Sequence, residues 1–341
     1  MNNFIEYKPS NESYWRSIIL FGQNVASYKF ALAQALIEIS SKEKIFVRLD
    51  ELAEPYVLNI LKHLQVTDKQ STSRTSRFLD ACRAFNENDI TRDKLIAETV
   101  RRGFANVIDA FHIVNQSPIP TKFFIDERAS ANGIRITDEL FKLKETPQFA
   151  NFPLETEARW RLVETAWSVG VSAKMLEVKH DEKAELMFIE TRGKHRINIT
   201  SSRDALNGYQ KGKCFYCFAD ISIESRSADL AEVDHFFPHT LVNANLNINL
   251  NGIWNLVLAC QNCNRGAGGK SARIPHLKYL ERLHTRNSFL IDSLHPLRET
   301  LIQQTGNSET VRQRFLQEQY NVALSVLLHT WQPQYENEAA F

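Results

Sequence analysis

The sequence predicts a mainly α protein: a helical N-terminal domain, then one small α+β domain, then C-terminal helices. Three observations predict this. Apolar residues recur at helical spacing through about the first 170 residues. The period then changes to two. Beyond that, paired cysteines bracket two short strand-like runs between Cys214 and Cys263. A chain of 341 residues is long enough for two domains, and 43% hydrophobic with 24% charged residues is ordinary for a globular protein.

The helical part reads in order. Ser13 to Ile39 carries Ile18, Phe21, Val25, Leu32 and Leu36 at helical spacing. Leu49 to Leu64 is a second helix, with Pro55 placed to end or bend a segment. Ser73 to Phe85 and Arg92 to Val114 follow, the latter closed by Pro118 and Pro120. Gly133 to Thr137 alternates, and Thr137 can cap a helix through Leu143. Glu155 to Val169 is amphipathic, with Trp160, Leu162, Val163, Ala166 and Trp167. No motif in this part names a role.

Met175 to Val178, Glu185 to Ile189 and Arg196 to Thr200 read as short strands, with a charged turn at His180 to Lys183. Ser201 or Ser202 can cap a helix through Tyr209. After the cysteine-bracketed stretch, Pro275 to Arg286 and Glu309 to Trp331 read as helices. Ser308 caps the second, which stops before Pro333. The domains expected are 1–171 (helical), 172–204 (short strands and a connecting helix), 205–290 (the cysteine-containing domain) and 291–341 (a helical extension).

The net charge of +1 decides nothing about a nucleic-acid partner, so any basic surface must be local. No secretory signal is visible at the N-terminus. The most apolar stretch, Arg16 to Ile39, is interrupted by Gln23, Asn24, Ser27, Lys29 and Gln34, which fits a buried helix better than a membrane span. A cytoplasmic location without membrane contact is expected. In that setting paired Cys-x-x-Cys units favour metal over disulfides. Cys214, Cys217, Cys260 and Cys263 supply four thiolates, the set of a closed structural Zn²⁺ site, and Cys82 reads as a small buried residue.

Between the knuckles, Asp234 and His235 end one strand, and Trp254 to Ala259 forms a second strand that can pair with it. A carboxylate suits a hard divalent cation, and an imidazole titrating near 6.5 can take a proton from water. Asn264 follows Cys263 directly, so a zinc site would fix its amide. Adjacent strand residues point to opposite faces, so Asp234 and His235 converge only if the backbone bends.

Cys214/Cys217, Asp234-His235 with Pro238, Asn255-Leu256, Cys260/Cys263, Asn264 and Lys270, in that order, resemble the HNH nucleases, also called ββα-metal or His-Me finger nucleases. The resemblance covers roughly residues 210–290. It implies a metal-dependent endonuclease hydrolysing phosphodiester bonds, with His235 as general base and Asp234 a ligand of a catalytic cation. It also implies that Asn255 pins the loop that orients the histidine, and that Asn264 stands where the family's last histidine binds metal. That asparagine departs from the literal pattern; it occurs in active members, and its oxygen points to Mg²⁺ or Mn²⁺. A second departure is the run Gly266 to Gly269, poor helix material, so the metal-bearing helix is expected to be short and the main helix to begin near Pro275.

Six basic residues stand between Arg265 and Arg286 against one acid, Glu281. Arg265, Lys270 and Arg273 are the expected contacts to a nucleic-acid backbone. Lys278, Arg282 and Arg286 would share one helical face, either solvated or on nucleic acid. Asn243, Asn245, Asn247, Asn249 and Asn251 alternate as in an extended segment, and His239 reads as a spectator near the motif. The expected partner is DNA, with RNA not excluded, in a phage-defence or restriction setting. Two alternatives stand beside it: a nuclease subunit active only with an ATPase, helicase or other defence-system partner, and a non-catalytic zinc-stapled module that binds nucleic acid or protein.

Overall fold

A computed structural model describes residues 9–22, 25–73, 75–146, 148–169, 178–181, 186–190, 196–223, 227–244 and 249–341. It is mainly helical with small, mostly antiparallel sheets, and the chain divides into two compact units, 1–173 and 174–341. No helix among the described residues is long and apolar enough to cross a membrane.

In the first unit, helices pack around Trp15, Phe30, Tyr56, Phe111, Phe123 and Trp160, all fully buried. The apolar run from Ser13 to Ile39 forms two helices, Asn11–Phe21 and Tyr28–Ser40. The break falls at Gly22, where a side chain would meet the Ile18 carbonyl at 2.3 Å. Helix Leu49–Leu64 runs straight through Pro55, because Leu52, Tyr56, Val57 and Ile60 are buried on both sides of it. Packing of an apolar face outweighs the one lost backbone bond.

The helix expected over Arg92 to Val114 is shorter. It spans Arg92–Glu98, widens into a π-turn at Thr99–Gly103, resumes at Val107–Ala110 and gives way to a hairpin, Ile113–Val114 with Ser117–Pro118. The Tyr56 hydroxyl donates to the Gly103 carbonyl at 3.0 Å, in the widened turn. Phe46–Arg48, Gly133–Ile136 and Phe124–Glu127 form a three-stranded antiparallel sheet with Gly133–Ile136 in the centre.

The second unit opens with three antiparallel strands in sequence order, Val178–Asp181, Leu186–Glu190 and Arg196–Ser201. Of the strand expected from Met175, only Val178 lies within the described residues, and Glu185 and part of the charged turn also lie outside them. Helix Ser202–Gln210 leads into the first cysteine knuckle. Strands Glu232–His235 and Leu256–Ala259 pair antiparallel, with Asp234 opposite Val257 and His235 opposite Leu256. The Gln210 side chain extends this pair: its amide accepts from Leu258 N at 2.8 Å and donates to Leu258 O at 2.7 Å, as a neighbouring strand would.

Helix Leu277–Asp292 follows, then Arg298–Thr305, then Glu309–Leu327, capped by the Ser308 hydroxyl on Val311 N. Arg298–Thr305 has no side-chain cap and little amphipathic contrast, so nothing in the sequence marked it. The Glu309–Leu327 helix ends before the expected Trp331, and Thr330–Trp331 instead lies parallel to Ile274–Pro275.

Candidate metal centre and active site

Two tight turns bring the four cysteines together. In the first, Phe218 N donates to Cys214 O at 3.0 Å and Phe218 adopts a left-handed φ of 58°, turning Cys217 back toward Cys214. In the second, the one-turn helix Gln261–Asn264 places Cys263 beside Cys260, with Asn264 N on Cys260 O at 3.0 Å. Phe215 N on Leu258 O ties the first turn to the strand that leads into the second. The four sulfurs all lie within 4.8 Å of one another, and Cys217 and Cys260 are 3.8 Å apart. A tetrahedron with Zn–S of ~2.3 Å has edges of ~3.8 Å, so the donor set fits zinc.

Packed this closely, the thiols do not ionise independently. S–H bonds from Cys214 pull Cys217 down to about 7 and lower Cys260 as well, while shared bonding with their neighbours pushes Cys214 and Cys263 up. A divalent ion that takes all four as thiolates removes that competition. Cys82 is buried in the first unit, where burial raises its thiol to about 12.

The paired strands set the second group of residues. Glu232 and Asp234, two apart, share one face; His235 is on the other, at the strand's end. Asp234 is buried, with Oδ2 accepting from the Tyr216 hydroxyl at 2.6 Å and Oδ1 3.2 Å from the Lys270 ammonium. Burial raises its carboxyl above the usual range, and Lys270 and Tyr216 counter this only in part. His235 Nε2 lies 3.0 Å from Asn251 Oδ1, and the His239 ring packs edge-on against it with centroids 4.3 Å apart. An amide oxygen only accepts, so this pairing calls for a hydrogen on Nε2.

Asn255 is fully buried. Its Oδ1 accepts from Phe237 N at 2.8 Å, and its Nδ2 donates to Phe237 O and Leu250 O at 3.0 and 2.8 Å. Its own carbonyl accepts from Phe236 N. Asn255 therefore holds the two residues after His235, Phe236 by its backbone and Phe237 by its side chain, and the side chain also holds Leu250 in the returning segment. Asn264 donates to Glu232 Oε2 at 2.9 Å, and Arg265 Nε donates to Oε1 of the same carboxylate at 2.7 Å. Glu232 was not singled out in the sequence; the available signal was its i, i+2 relation to Asp234 on a strand. Ala259 stands opposite it in the register.

The loop after Asn264 is compact rather than helical. A side chain at Gly269 would meet the Asn262 carbonyl at 2.7 Å and Gly268 has a left-handed φ of 78°, and the long helix starts at Leu277. This loop corrects the reading of Lys270 as a phosphate contact. Its ammonium points inward to Asp234, to His235 O at 2.9 Å and to Ser271 O at 3.2 Å, and the residue is fully buried. Arg265 and Arg273 are exposed.

The basic helix face is likewise structural. Arg286, buried, donates to the carbonyls of Ile253, Trp254 and Leu256; burial lowers its guanidinium to about 9. Arg282 donates to Phe215 O and Tyr216 O, and Lys278 pairs with Glu336. Of the alternating asparagines, Asn243 starts no extended run, since His239–Ala244 is a 3₁₀ helix; Asn245 and Asn247 lie outside the described residues, and Asn251 holds His235.

No family model matches the chain, and neither curated proteins nor solved structures give a match. The fold and site define a mainly α protein whose second unit carries a four-cysteine group able to hold a metal ion.

Proposed function

We propose that the second unit is a zinc-stapled HNH-type endonuclease module that hydrolyses phosphodiester bonds of DNA. The observation that carries the reading is the Asn255 clamp: a fully buried amide grips Phe237, two residues beyond His235, as the resemblance implies for that asparagine. His235 takes the proton of a water aligned on phosphorus, the water oxygen forms the new P–O bond, and the ester oxygen leaves from the opposite side. The oxygens of Asp234 and Asn264, with Glu232 adjoining, would hold Mg²⁺ or Mn²⁺, with Asp234 giving up Tyr216 or Lys270, and the cation would supply Lewis-acid neutralisation of developing charge. Exposed Arg265 and Arg273 supply positive charge for the phosphate backbone. A phage-defence or restriction role is carried over from the resemblance alone.

One observation favours a second reading, a non-catalytic zinc-stapled binding module. Both oxygens of Asp234 already have internal partners, Tyr216 and Lys270. Incubating plasmid DNA with the protein and Mg²⁺ or Mn²⁺, beside His235→Ala, tests the two. The nuclease reading expects cleavage that falls by about 10²–10⁴ in the variant. Equal cleavage by both proteins removes His235 from the chemistry, and silence from both favours the binding module or a nuclease subunit that acts only with a partner.

A further inference from the structure

A cavity of about 370 Å³ lies between the two cysteine knuckles and the segment Trp331 to Asn337. We propose that it seats one unstacked nucleobase of single-stranded DNA. This rests on the reading of the unit as one that handles DNA and adds to it the form of strand engaged.

The cavity wall is held at several points. The Trp331 indole donates to Gly268 O at 2.7 Å, and Asn337 donates twice to Cys217 O, at 2.8 Å from the backbone and 3.1 Å from the side chain. Between them Glu336 accepts from Tyr279 at 2.5 Å and pairs with Lys278. Tyr335, although next to Glu336 on this pinned segment, is 85% exposed and lines the cavity. An aromatic ring carried on a pinned backbone segment and left in water offers a stacking face.

The remaining lining suits a base rather than another flat ligand. Asn262 and Gln334 offer amide donors and acceptors of the kind that meet base edges. The lining includes no carboxylate, and its anionic groups are the metal-site sulfurs of Cys217, Cys260 and Cys263 on the wall opposite Tyr335's segment. Arg273 donates to the carbonyls of Gly268, Gly269 and Lys270, so its charge sits at the cavity edge against backbone oxygens rather than an acid. That places a cation where the phosphate beside a seated base would run. A base inside a duplex presents only its edge, so stacking on Tyr335 requires a base out of the stack. The turn of helix that offers Asn262 to the cavity also offers Asn264 to Glu232, which joins the pocket to the candidate site.

The test uses the zinc-loaded full chain carrying His235→Ala, so that no cleavage interferes. Binding of a fluorescent single-stranded oligodeoxynucleotide is compared with an abasic strand of the same length and with a blunt duplex. The expected result is tightest binding of the single strand, a loss of about tenfold on adding Tyr335→Ala, and retention with Tyr335→Phe. Affinity for the abasic strand should not respond to Tyr335→Ala. Single-strand affinity within twofold in Tyr335→Ala, or equal binding of the abasic strand, would overturn the proposal. Photocrosslinking of an iodouracil-containing strand should label Tyr335 or Trp331, and labelling confined to residues 1–173 counts against it. Plasmid cleavage by the wild-type chain with no Tyr335 effect sinks the pocket and spares the nuclease; a Tyr335 effect without cleavage does the reverse.

Discussion

The ammonium of Lys270 lies 3.2 Å from Oδ1 of Asp234 inside the protein, with the pair almost wholly removed from water. The same ammonium holds His235 O at 2.9 Å, so one internal cation joins the carboxylate, the histidine's backbone and the loop after the second knuckle. Breaking a buried pair from one side leaves an uncompensated charge, which costs about 3–5 kcal/mol. Lys270→Met should lower stability by that order in denaturant unfolding. Asp234→Asn with Lys270→Met should cost less than the sum of the two single changes. Additive costs would show that the pair is not coupled.

The thiol cluster makes a separate prediction about metal. The purified chain should contain one zinc per molecule by elemental analysis, and Cys260→Ser should lose most of it. The knuckles anchor strand Leu256–Ala259 through Phe215 N on Leu258 O, so chelation should disorder the paired strands and their amide protection from hydrogen exchange. Helices of residues 1–173 hold only Cys82 and should keep their protection. Cys82→Ala should retain full zinc, because that thiol is buried elsewhere.

Asn255 predicts a cost that its size does not. Asn255→Ala strands Phe237 N and two buried carbonyls, and each unsatisfied buried group costs about 1–3 kcal/mol. A total of about 3 kcal/mol or more is expected in urea unfolding, together with loss of any His235-dependent cleavage. An unchanged unfolding midpoint would remove the clamp from the account.

What the sequence disclosed follows from where information is local. Cysteine pairs two residues apart make a turn whatever surrounds them, and Leu49 to Leu64 has an apolar face strong enough to fix both of its ends. Charge is different. Counting Lys and Arg between Arg265 and Arg286 found the cluster, but not that Lys270 and Arg286 point inward to carbonyls and a carboxylate, because burial depends on what folds over them. Glu232 was silent for the same reason: one acid on a strand acquires meaning only when Asn264 and Arg265 arrive from 32 and 33 residues away. Arg298–Thr305 shows the reverse case, a helix made by its surroundings without a cap or a clear apolar face.

In the first unit, His63 carries the last prediction. Its ring stacks on Trp160 with centroids 3.5 Å apart, Nδ1 lies 2.6 Å from Glu164 and Nε2 lies 2.9 Å from Glu157. Two carboxylates on two ring nitrogens call for the doubly protonated form. Burial opposes the charge, yet the bonds to Glu157 and Glu164 outweigh it, and the imidazole is raised above its ordinary value. A group raised in this way lends stability that is complete below about pH 6.5 and is lost as pH rises through its folded value. His63→Gln should therefore cost about 3 kcal/mol at pH 6 and less at pH 9. Lys29 acts in the opposite sense: burial lowers its amine to about 8, so its penalty fades as pH climbs beyond that point. Unfolding of the wild type and of His63→Gln at each pH isolates the histidine, since Lys29 is common to both. A difference that stayed constant from pH 6 to pH 9 would mean that His63 is not the charged partner of Glu157 and Glu164.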